Sequence, residues 1–227
     1  MISNNSVREI LLSFFNSNPG IFTKEEERYI LSYHDLVFDN EYCPELVREV
    51  FDELGLIPSK INIYDGFFKL VDDTFSVKDK NIIEIGGGVL PRLGKRIVTK
   101  IGNGKLTIYD PRLSKYLKDT EKMVLKREMF TEYIDVSNSD LLVALMPCRG
   151  AEDVIASALK NRKDFMIGLC EGGEHGDYFD YFEDEEEWRT ALICNTSQLI
   201  RYKDMGKLKI KYLKEYGNPY PIIYNER

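Results

Sequence analysis

From Lys80 onward, short apolar runs alternate with stretches of helical periodicity. Strands that alternate with helices form βαβ units, and continuous apolar runs are typical of a parallel sheet covered on both faces. We therefore expect an α/β fold with a doubly wound, mostly parallel sheet of seven strands, ending in a hairpin-like pair. The predicted strands are 81–85, 106–109, 123–125, 141–145, 165–169, 208–212 and 221–224, and the predicted helices are about 90–100, 114–118, 151–160 and 188–202.

The first 75 residues show helical patterns, which predict helices over about 6–15, 23–34, 44–54 and 61–75. Thr23 and Glu26 have the spacing of a capping box, in which each side chain accepts a hydrogen bond from the other residue's backbone N–H. We expect two units, a helical lid over residues 1–75 and a ligand-binding sheet domain over residues 76–227. Such a lid would exclude water from the site and select the substrate.

The chain carries 31 Lys and Arg against 38 Asp and Glu, which leaves a net charge of −7. Nonspecific nucleic-acid binding needs cations that neutralise phosphates, so this balance favours a small-molecule partner over nucleic acid. The charge is uneven, because residues 92–118 hold eight bases against one acid, whereas residues 171–187 hold nine acids and no Lys or Arg. These stretches are either two solvated faces of opposite sign or include a basic rim that steers an anionic substrate.

Further exclusions concern location and metals. No apolar run approaches the roughly 18 residues that a membrane-spanning helix needs, and the N-terminus lacks the basic region of a signal peptide. Cys43, Cys148, Cys170 and Cys194 form no C-x-x-C pair, so we expect free thiols in a reducing, cytoplasmic setting and no membrane partner. The two histidines and four cysteines have no metal-ligand spacing, which predicts no metal site. The sequence leaves the oligomeric state open.

The predicted strand ends carry the functional signal, because parallel sheets bind ligands beyond the carboxyl ends of their strands. The first strand ends in Glu84-Ile85-Gly86-Gly87-Gly88, where glycines allow a sharp turn and close approach of a ligand to the main chain. The second strand ends at Asp110, 22 residues beyond Gly88, where a carboxylate can accept hydrogen bonds from the hydroxyls of a nucleoside ribose. A glycine turn followed by an acid at this distance is typical of both dinucleotide and S-adenosylmethionine sites.

Glu84 separates these two cofactor classes. A dinucleotide turn has the pattern G-x-G-x-x-G, and Pro91 stands where the third glycine belongs. An acid two residues before the first glycine also suits a cationic ligand better than a pyrophosphate. S-adenosylmethionine carries a sulfonium and an ammonium group and no phosphate. The residues therefore favour S-adenosylmethionine as cofactor over the nicotinamide cofactor of an oxidoreductase.

The sequence resembles the class I S-adenosylmethionine-dependent methyltransferases over roughly residues 80–170. The motifs that carry the resemblance are Glu84-Ile85-Gly86-Gly87-Gly88, Thr107-Ile108-Tyr109-Asp110 and the segment from Asp140 to Cys148. The resemblance implies a Rossmann-like sheet domain and transfer of a methyl group directly from the sulfonium to an acceptor.

The resemblance also implies roles for individual residues. Glu84 and the turn formed by Gly86, Gly87 and Gly88 would hold the methionine part of the cofactor, and Asp110 would bind its ribose. Glu128 and Met129 would contact adenine, and Met146, Pro147 and Cys148 at the end of the fourth strand would border the transferred methyl group.

Leu90 departs from the family, because a glycine is usual at this position. Leu90-Pro91 after a glycine turn is similar to nicotianamine synthases, which transfer the aminocarboxypropyl group of the same cofactor. Whether methyl or aminocarboxypropyl is transferred therefore stays open.

The sequence singles out no catalytic residue, which is expected where alignment of the reactants contributes most of the rate. Cys148, together with Cys170, resembles the nucleophile of RNA cytosine-5 methyltransferases. His175 follows the fifth strand and is a candidate general base. A non-catalytic protein that keeps the fold for binding is a further alternative. We expect a methyltransferase that acts on a small-molecule acceptor.

Overall fold

The architecture is described from a computed structural model, for residues 4–34, 45–56, 63–147, 150–169, 185–213 and 221–227. The described residues form a mixed α/β fold around one seven-stranded sheet. The order of the strands across the sheet is β3-β2-β1-β4-β5-β7-β6. The strands are β1 (Ile82–Ile85), β2 (Leu106–Tyr109), β3 (Met123–Lys126), β4 (Leu141–Leu145), β5 (Asp164–Gly168), β6 (Lys207–Tyr212) and β7 (Pro221–Glu226).

The sheet is parallel over β1 to β5 and antiparallel at its C-terminal edge. β1 pairs in parallel with β2 and β4, β2 pairs with β3, and β4 pairs with β5. β7 runs antiparallel to both β5 and β6. The expectation of a mostly parallel sheet therefore holds for the first five strands, and the hairpin-like pair expected at the C-terminal end is the antiparallel pair of β6 and β7.

Seven helices lie within the described residues. Their bounds are α1 (Asn4–Ser17), α2 (Lys24–Leu31), α3 (Glu45–Glu53), α4 (Ile63–Phe75), α5 (Arg92–Lys100), α6 (Gly150–Asn161) and α7 (Glu185–Tyr202). The predicted capping box is confirmed, because Glu26 N donates to Thr23 Oγ1 at 3.1 Å and Thr23 N donates to Glu26 Oε2 at 2.7 Å. Elsewhere the predicted helices and strands agree with the structure to within a few residues.

The predicted helix over residues 114–118 is wrong, since this segment forms turns. The Ser114 hydroxyl donates to the carbonyl of Ile21 at 2.7 Å and accepts a hydrogen bond from Tyr116 N at 3.4 Å. The Ser114 carbonyl in turn accepts from the guanidinium of Arg127. Such side-chain bonds compete with the backbone bonds of a helix, and here they hold an irregular connection between β2 and β3.

The helices contribute their apolar side chains to three hydrophobic clusters. α4 and α5 share a hydrophobic cluster with one face of the sheet, and α6 and α7 share a cluster with the other face. Helices α1, α2 and α3 contribute to a third cluster, which includes Leu90 from the glycine turn. Leu90 is thus a core residue between the turn and the N-terminal helices, which accounts for a large apolar side chain at this position.

The bases of α5 face acids of the N-terminal helices. Arg92 forms a buried ion pair with Asp52 of α3 at 2.7 Å, and its guanidinium stacks 3.9 Å from the ring centroid of Tyr64 in α4. Three further pairs are Lys95 with Glu53, Arg96 with Asp65, and Lys100 with Asp72. These four cations bind the N-terminal helices to α5, so they do not form a basic rim for an anionic substrate.

None of the described helices is long and apolar enough to cross a lipid bilayer.

Loss of the buried partner of Arg92 should destabilise the fold. Asp52→Asn leaves the guanidinium buried without a counterion, and we expect a decrease of about 3–5 kcal/mol in the free energy of unfolding, measured by urea denaturation. Glu53→Gln is the matched control on the same helix, because its pair with Lys95 is partly exposed and should contribute less than about 1 kcal/mol. Equal effects of the two substitutions would contradict the assignment of the buried pair.

Candidate functional site

A cavity of about 430 Å³ lies beyond the carboxyl ends of β1, β2 and β4. The strand order reverses between β1 and β4, and this crevice is where open α/β sheets bind ligands. The volume lies within the range of small-molecule sites. The cavity is lined by Ile85, Gly86, Tyr109, Asp110, Pro111, Arg112, Met129, Phe130, Met146, Pro147 and Gly150.

The glycine turn after β1 is held in a conformation that other residues rarely adopt. Gly86 has φ of +82° and Gly88 has φ of +71°, both in the left-handed region. A Cβ atom at Gly88 would overlap the carboxylate of Glu49, whose Cδ would lie 3.0 Å away. Glycine at this position therefore allows both the turn and the close approach of α3.

The three backbone N–H groups at the end of this turn all donate to carboxylates. Gly88 N donates to Asp110 Oδ2 at 2.8 Å. Val89 N and Leu90 N both donate to Glu49 Oε2, at 3.0 Å and 3.4 Å. A phosphate placed at these amides would meet carboxylate oxygens where a phosphate-binding turn offers unpaired donors.

Asp110 connects the glycine turn with the cavity. Its side chain is buried, with the whole residue 4% exposed, and it lines the cavity beside Arg112. Asp110 Oδ1 accepts from the backbone of Arg112 at 2.7 Å, and Oδ2 lies 3.3 Å from the Arg112 guanidinium. Gly88 N also donates to Oδ2, and Arg112 Nε lies 3.4 Å from Oδ1, so these four contacts use the about four acceptor sites of the carboxylate, and a ligand hydroxyl would replace one of the longer contacts with the Arg112 guanidinium.

Glu84 is buried behind the glycine turn with one oxygen unpaired. The residue is 2% exposed, and its Oε2 has no hydrogen-bond partner. A Cβ atom at Gly94 would lie 2.6 Å from this oxygen, so the absence of a side chain in α5 makes room for the carboxyl group. Burial, with a smaller contribution from the charge of Asp110, raises the pKa of Glu84 to about 8. Glu84 therefore retains its proton at neutral pH while no cation lies beside it.

Met129 and Met146 both line the cavity, and they follow β3 and β4, the strands that flank β2 and β1 in the sheet. Met129 is 56% exposed in the segment after β3, next to Phe130, which packs edge-to-face on Tyr109 at 5.4 Å. Met146 follows β4 with φ of +54°, a strained conformation for a residue with a side chain. Both residues give the cavity an apolar, polarisable surface.

The structure brings four of the predicted cofactor residues onto one cavity, namely Gly86, Asp110, Met129 and Met146. Gly87 and Gly88 belong to the same turn as Gly86, and Glu84 lies in β1, directly before the turn. At Gly87 a Cβ atom would lie 2.5 Å from Ile108 Cγ2, so the turn packs directly on β2. Whether these residues bind a cofactor remains a prediction from the sequence.

The catalytic candidates Cys148 and His175, and the second cysteine Cys170, lie outside the described residues. Their roles, and the alternative chemistries that depend on them, stay predictions. Cys194 is exposed on α7. Within the described ranges, no group of three or more His, Cys, Asp or Glu is arranged to hold a metal ion.

Sequence reasoning missed Glu49, Arg112 and Phe130. The periodicity of α3 puts Val47, Val50 and Phe51 on its apolar face and leaves Glu49 on the polar face. Glu49 and Asp52 on the polar face are nevertheless buried, because α3 also packs against the glycine turn. No local signal distinguishes a solvated glutamate from one that is buried by a distant segment.

The raised pKa of Glu84 should make the free energy of unfolding depend on pH. Its ordinary value is 4.5, so between about pH 5 and pH 8 the unfolded chain is ionised at Glu84 while the folded chain keeps the proton. For this group the free energy of unfolding then falls by about 1.4 kcal/mol per pH unit across that window. Glu84→Gln removes the titration, so its stability relative to the wild type should rise from pH 5.5 to pH 7.5 in urea denaturation. A stability difference that does not change with pH would contradict the buried, protonated state.

No family model matches the sequence, and the comparison with curated proteins found no match. Solved structures with a similar chain include a SAM-dependent methyltransferase from Aquifex aeolicus, 13% identical, with a TM-score of 0.48 over 81% of this chain and 98% of that chain. Fibrillarin from Aeropyrum pernix, with natively bound S-adenosyl-L-methionine, is 15% identical, with a TM-score of 0.46 over 72% and 75% of the two chains. A SAM-dependent O-methyltransferase from Thermotoga maritima is 16% identical, with a TM-score of 0.44 over 75% and 73%. At these identities and scores the likeness assigns neither an activity nor an acceptor to this chain.

Proposed function

We propose that this protein is an S-adenosylmethionine-dependent methyltransferase that acts on a small-molecule acceptor. The observation that carries the proposal is a glycine turn whose amides are occupied by carboxylates, next to a nucleoside-sized cavity with Asp110 on its wall. Such a turn disfavours a phosphate, and S-adenosylmethionine carries a sulfonium and an ammonium group beside its single carboxylate, and no phosphate.

The cavity matches the adenosine half of the cofactor. Asp110 would accept hydrogen bonds from the ribose hydroxyls. Met129 and Phe130 offer apolar surface for the adenine ring at the side of the cavity after β3. The residues of the site therefore fit a nucleoside without a phosphate group.

The methionine half would lie along the glycine turn, next to Gly86 and above Glu84. The unpaired Oε2 of Glu84 is an acceptor for which the protein alone provides no donor. Burial of an unpaired polar atom is unfavourable, and a cation nearby would relieve it by favouring the ionised carboxylate. A dinucleotide would instead bring a pyrophosphate to carboxylates that repel it, so the site disfavours a nicotinamide cofactor.

The cofactor, when bound, supplies an electrophilic methyl group on its sulfonium. The residues of the chain would bind and orient it: Asp110 at the ribose, the glycine turn at the methionine part, and Met146 and Pro147 at the edge where an acceptor would approach. Alignment of acceptor and cofactor supplies most of the rate in such a reaction, so few side chains need to act chemically. Residues that shield the site from water would prevent competing hydrolysis.

A small-molecule acceptor is supported by the charges of the protein. The net charge is −7, and four cations of the basic stretch over 92–118 pair with acids of α3 and α4. Paired cations are poor ligands for a phosphate backbone. The described residues therefore favour a small acceptor over RNA.

Binding of the cofactor should raise the temperature of unfolding. A ligand at a hundred times its Kd stabilises by about 2.7 kcal/mol, which is on the order of 5–10 °C for a chain of this size. We expect this shift with S-adenosylhomocysteine or S-adenosylmethionine and none with NAD. A shift with NAD alone, or none with any of the three ligands, would contradict the proposed cofactor.

Asp110→Asn should weaken binding of S-adenosylhomocysteine at least tenfold in isothermal titration calorimetry, because the variant loses the charged acceptor for the ribose hydroxyls. Asp119→Asn is the matched control, since Asp119 also accepts from a backbone N–H, that of Leu125 at 2.9 Å, but lies away from the cavity. Unchanged affinity in Asp110→Asn would refute the assignment of the ribose site.

The charge argument predicts weak binding of RNA. At about 150 mM salt we expect no retention of a single-stranded or hairpin RNA in a filter-binding assay at micromolar protein. Tight binding that falls steeply with salt would show a phosphate-binding surface and would favour an RNA acceptor.

A further inference from the structure

The guanidinium of Arg112 lies against the carboxylate of Asp110 in the candidate site. Both residues line the cavity. The guanidinium approaches both carboxylate oxygens, with Nε 3.4 Å from Oδ1 and Nη2 3.3 Å from Oδ2. The Asp110 side chain is 3% exposed, whereas that of Arg112 is 49% exposed. A half-exposed cation thus pairs with the buried carboxylate that the ribose of a nucleoside would need.

The four contacts of Asp110 are of two kinds. The backbone N–H groups of Gly88 and Arg112 donate to it at 2.8 and 2.7 Å, which are ordinary hydrogen-bond distances. The two guanidinium contacts are longer than the about 2.7–2.9 Å of a good charge-assisted hydrogen bond. The backbone contacts therefore hold the carboxylate in place, and the guanidinium contacts are the weaker ones that a ligand displaces first.

Displacement of the guanidinium requires only rotation of the Arg112 side chain. The hydrogen bond from Arg112 N to Asp110 belongs to the backbone and does not depend on where the side chain lies. A guanidinium has five N–H donors, so its contacts with Asp110 compete with a ligand hydroxyl whatever its other donors bind. The displacement is also cheap, because ion pairs with a solvent-exposed partner are weak.

We infer that the Arg112 side chain makes an autoinhibitory contact, which fills the acceptor sites of Asp110 and competes there with the ribose hydroxyls of the cofactor. The inference rests on the proposed function, since it requires a nucleoside with ribose hydroxyls in the cavity. Binding of the nucleoside exchanges guanidinium contacts for hydrogen bonds from hydroxyls, which lowers the net affinity. The demethylated cofactor carries the same ribose, so the return of Arg112 to Asp110 favours its release.

The experiment is a cycle of two ligands and two proteins, measured as Kd by isothermal titration calorimetry. The ligands are S-adenosylhomocysteine and its 2′,3′-dideoxy analogue, which lacks both ribose hydroxyls. The proteins are the wild type and Arg112→Met, whose flexible apolar side chain has no donor for Asp110. Lys115→Met is the matched control, because it removes an exposed base of the same segment that does not line the cavity.

We expect Arg112→Met to bind S-adenosylhomocysteine about two- to fivefold more tightly than the wild type, which is the effect of removing a weak ion pair that the ligand must break. The dideoxy analogue should bind Arg112→Met no more tightly than the wild type, because it has no hydroxyl to compete with Arg112. Lys115→Met should match the wild type with both ligands.

Two results would overturn the inference. Weaker or unchanged binding of S-adenosylhomocysteine to Arg112→Met would show that the guanidinium assists the nucleoside or has no effect on it. An equal gain with both ligands would show that the side chain obstructs the cavity without competing for Asp110. Arg112 is exposed, so the substitution should leave the fold intact, and urea denaturation of the variant checks this.

The failure of the inference and that of the proposed function give different results. If the wild type binds S-adenosylhomocysteine and Arg112→Met shows no gain specific to the hydroxyls, the role of Arg112 alone is overturned. If neither the wild type nor Arg112→Met binds S-adenosylhomocysteine, the proposed cofactor is wrong and the role of Arg112 is overturned with it.

Discussion

The contact between α3 and the glycine turn is the interaction on which the site depends. One carboxylate, that of Glu49, accepts from two consecutive backbone N–H groups, and the neighbouring Asp52 pairs with Arg92 in the first turn of α5. Of these three hydrogen bonds, those from Leu90 N and Arg92 are buried and the one from Val89 N is partly buried, so an unmatched charge or donor here would be costly. The N-terminal helices are therefore attached to the sheet through the same backbone segment that shapes the candidate ligand site.

The same contacts that stabilise the glycine turn also affect which ligand could bind there. The carboxylates that satisfy the turn also remove it as a site for phosphate, because the amides that would hold an anion are already paired. The protonated Glu84 beneath the turn adds a group that gains from a nearby positive charge. Together with the buried Asp110, these groups are the reason that we propose a cofactor with cationic groups at this turn.

Much of the fold was predictable because its signals are local. The apolar runs of β1, β2 and β4 and the capping box at Thr23 are read within a few residues, and the structure agrees with them. The segment at Ser114 was not, since its hydroxyl bonds a carbonyl far away in the chain, at Ile21. The antiparallel position of β7 between β5 and β6 also follows from pairing across the sheet and not from the apolar pattern of the strand.

By itself, the sequence determined the strand ends, the glycine turn and the spacing to Asp110, because these depend on periodicity and on residues that stand close together in the chain. Only the tertiary structure decided that Glu49 and Asp52 are buried, that the bases of α5 are paired, and that Leu90 is a core residue. The physical reason is that an amphipathic pattern reports one buried face. A helix such as α3, which packs against a second element on its polar face, buries charges whose partners lie about 40 residues away in the chain.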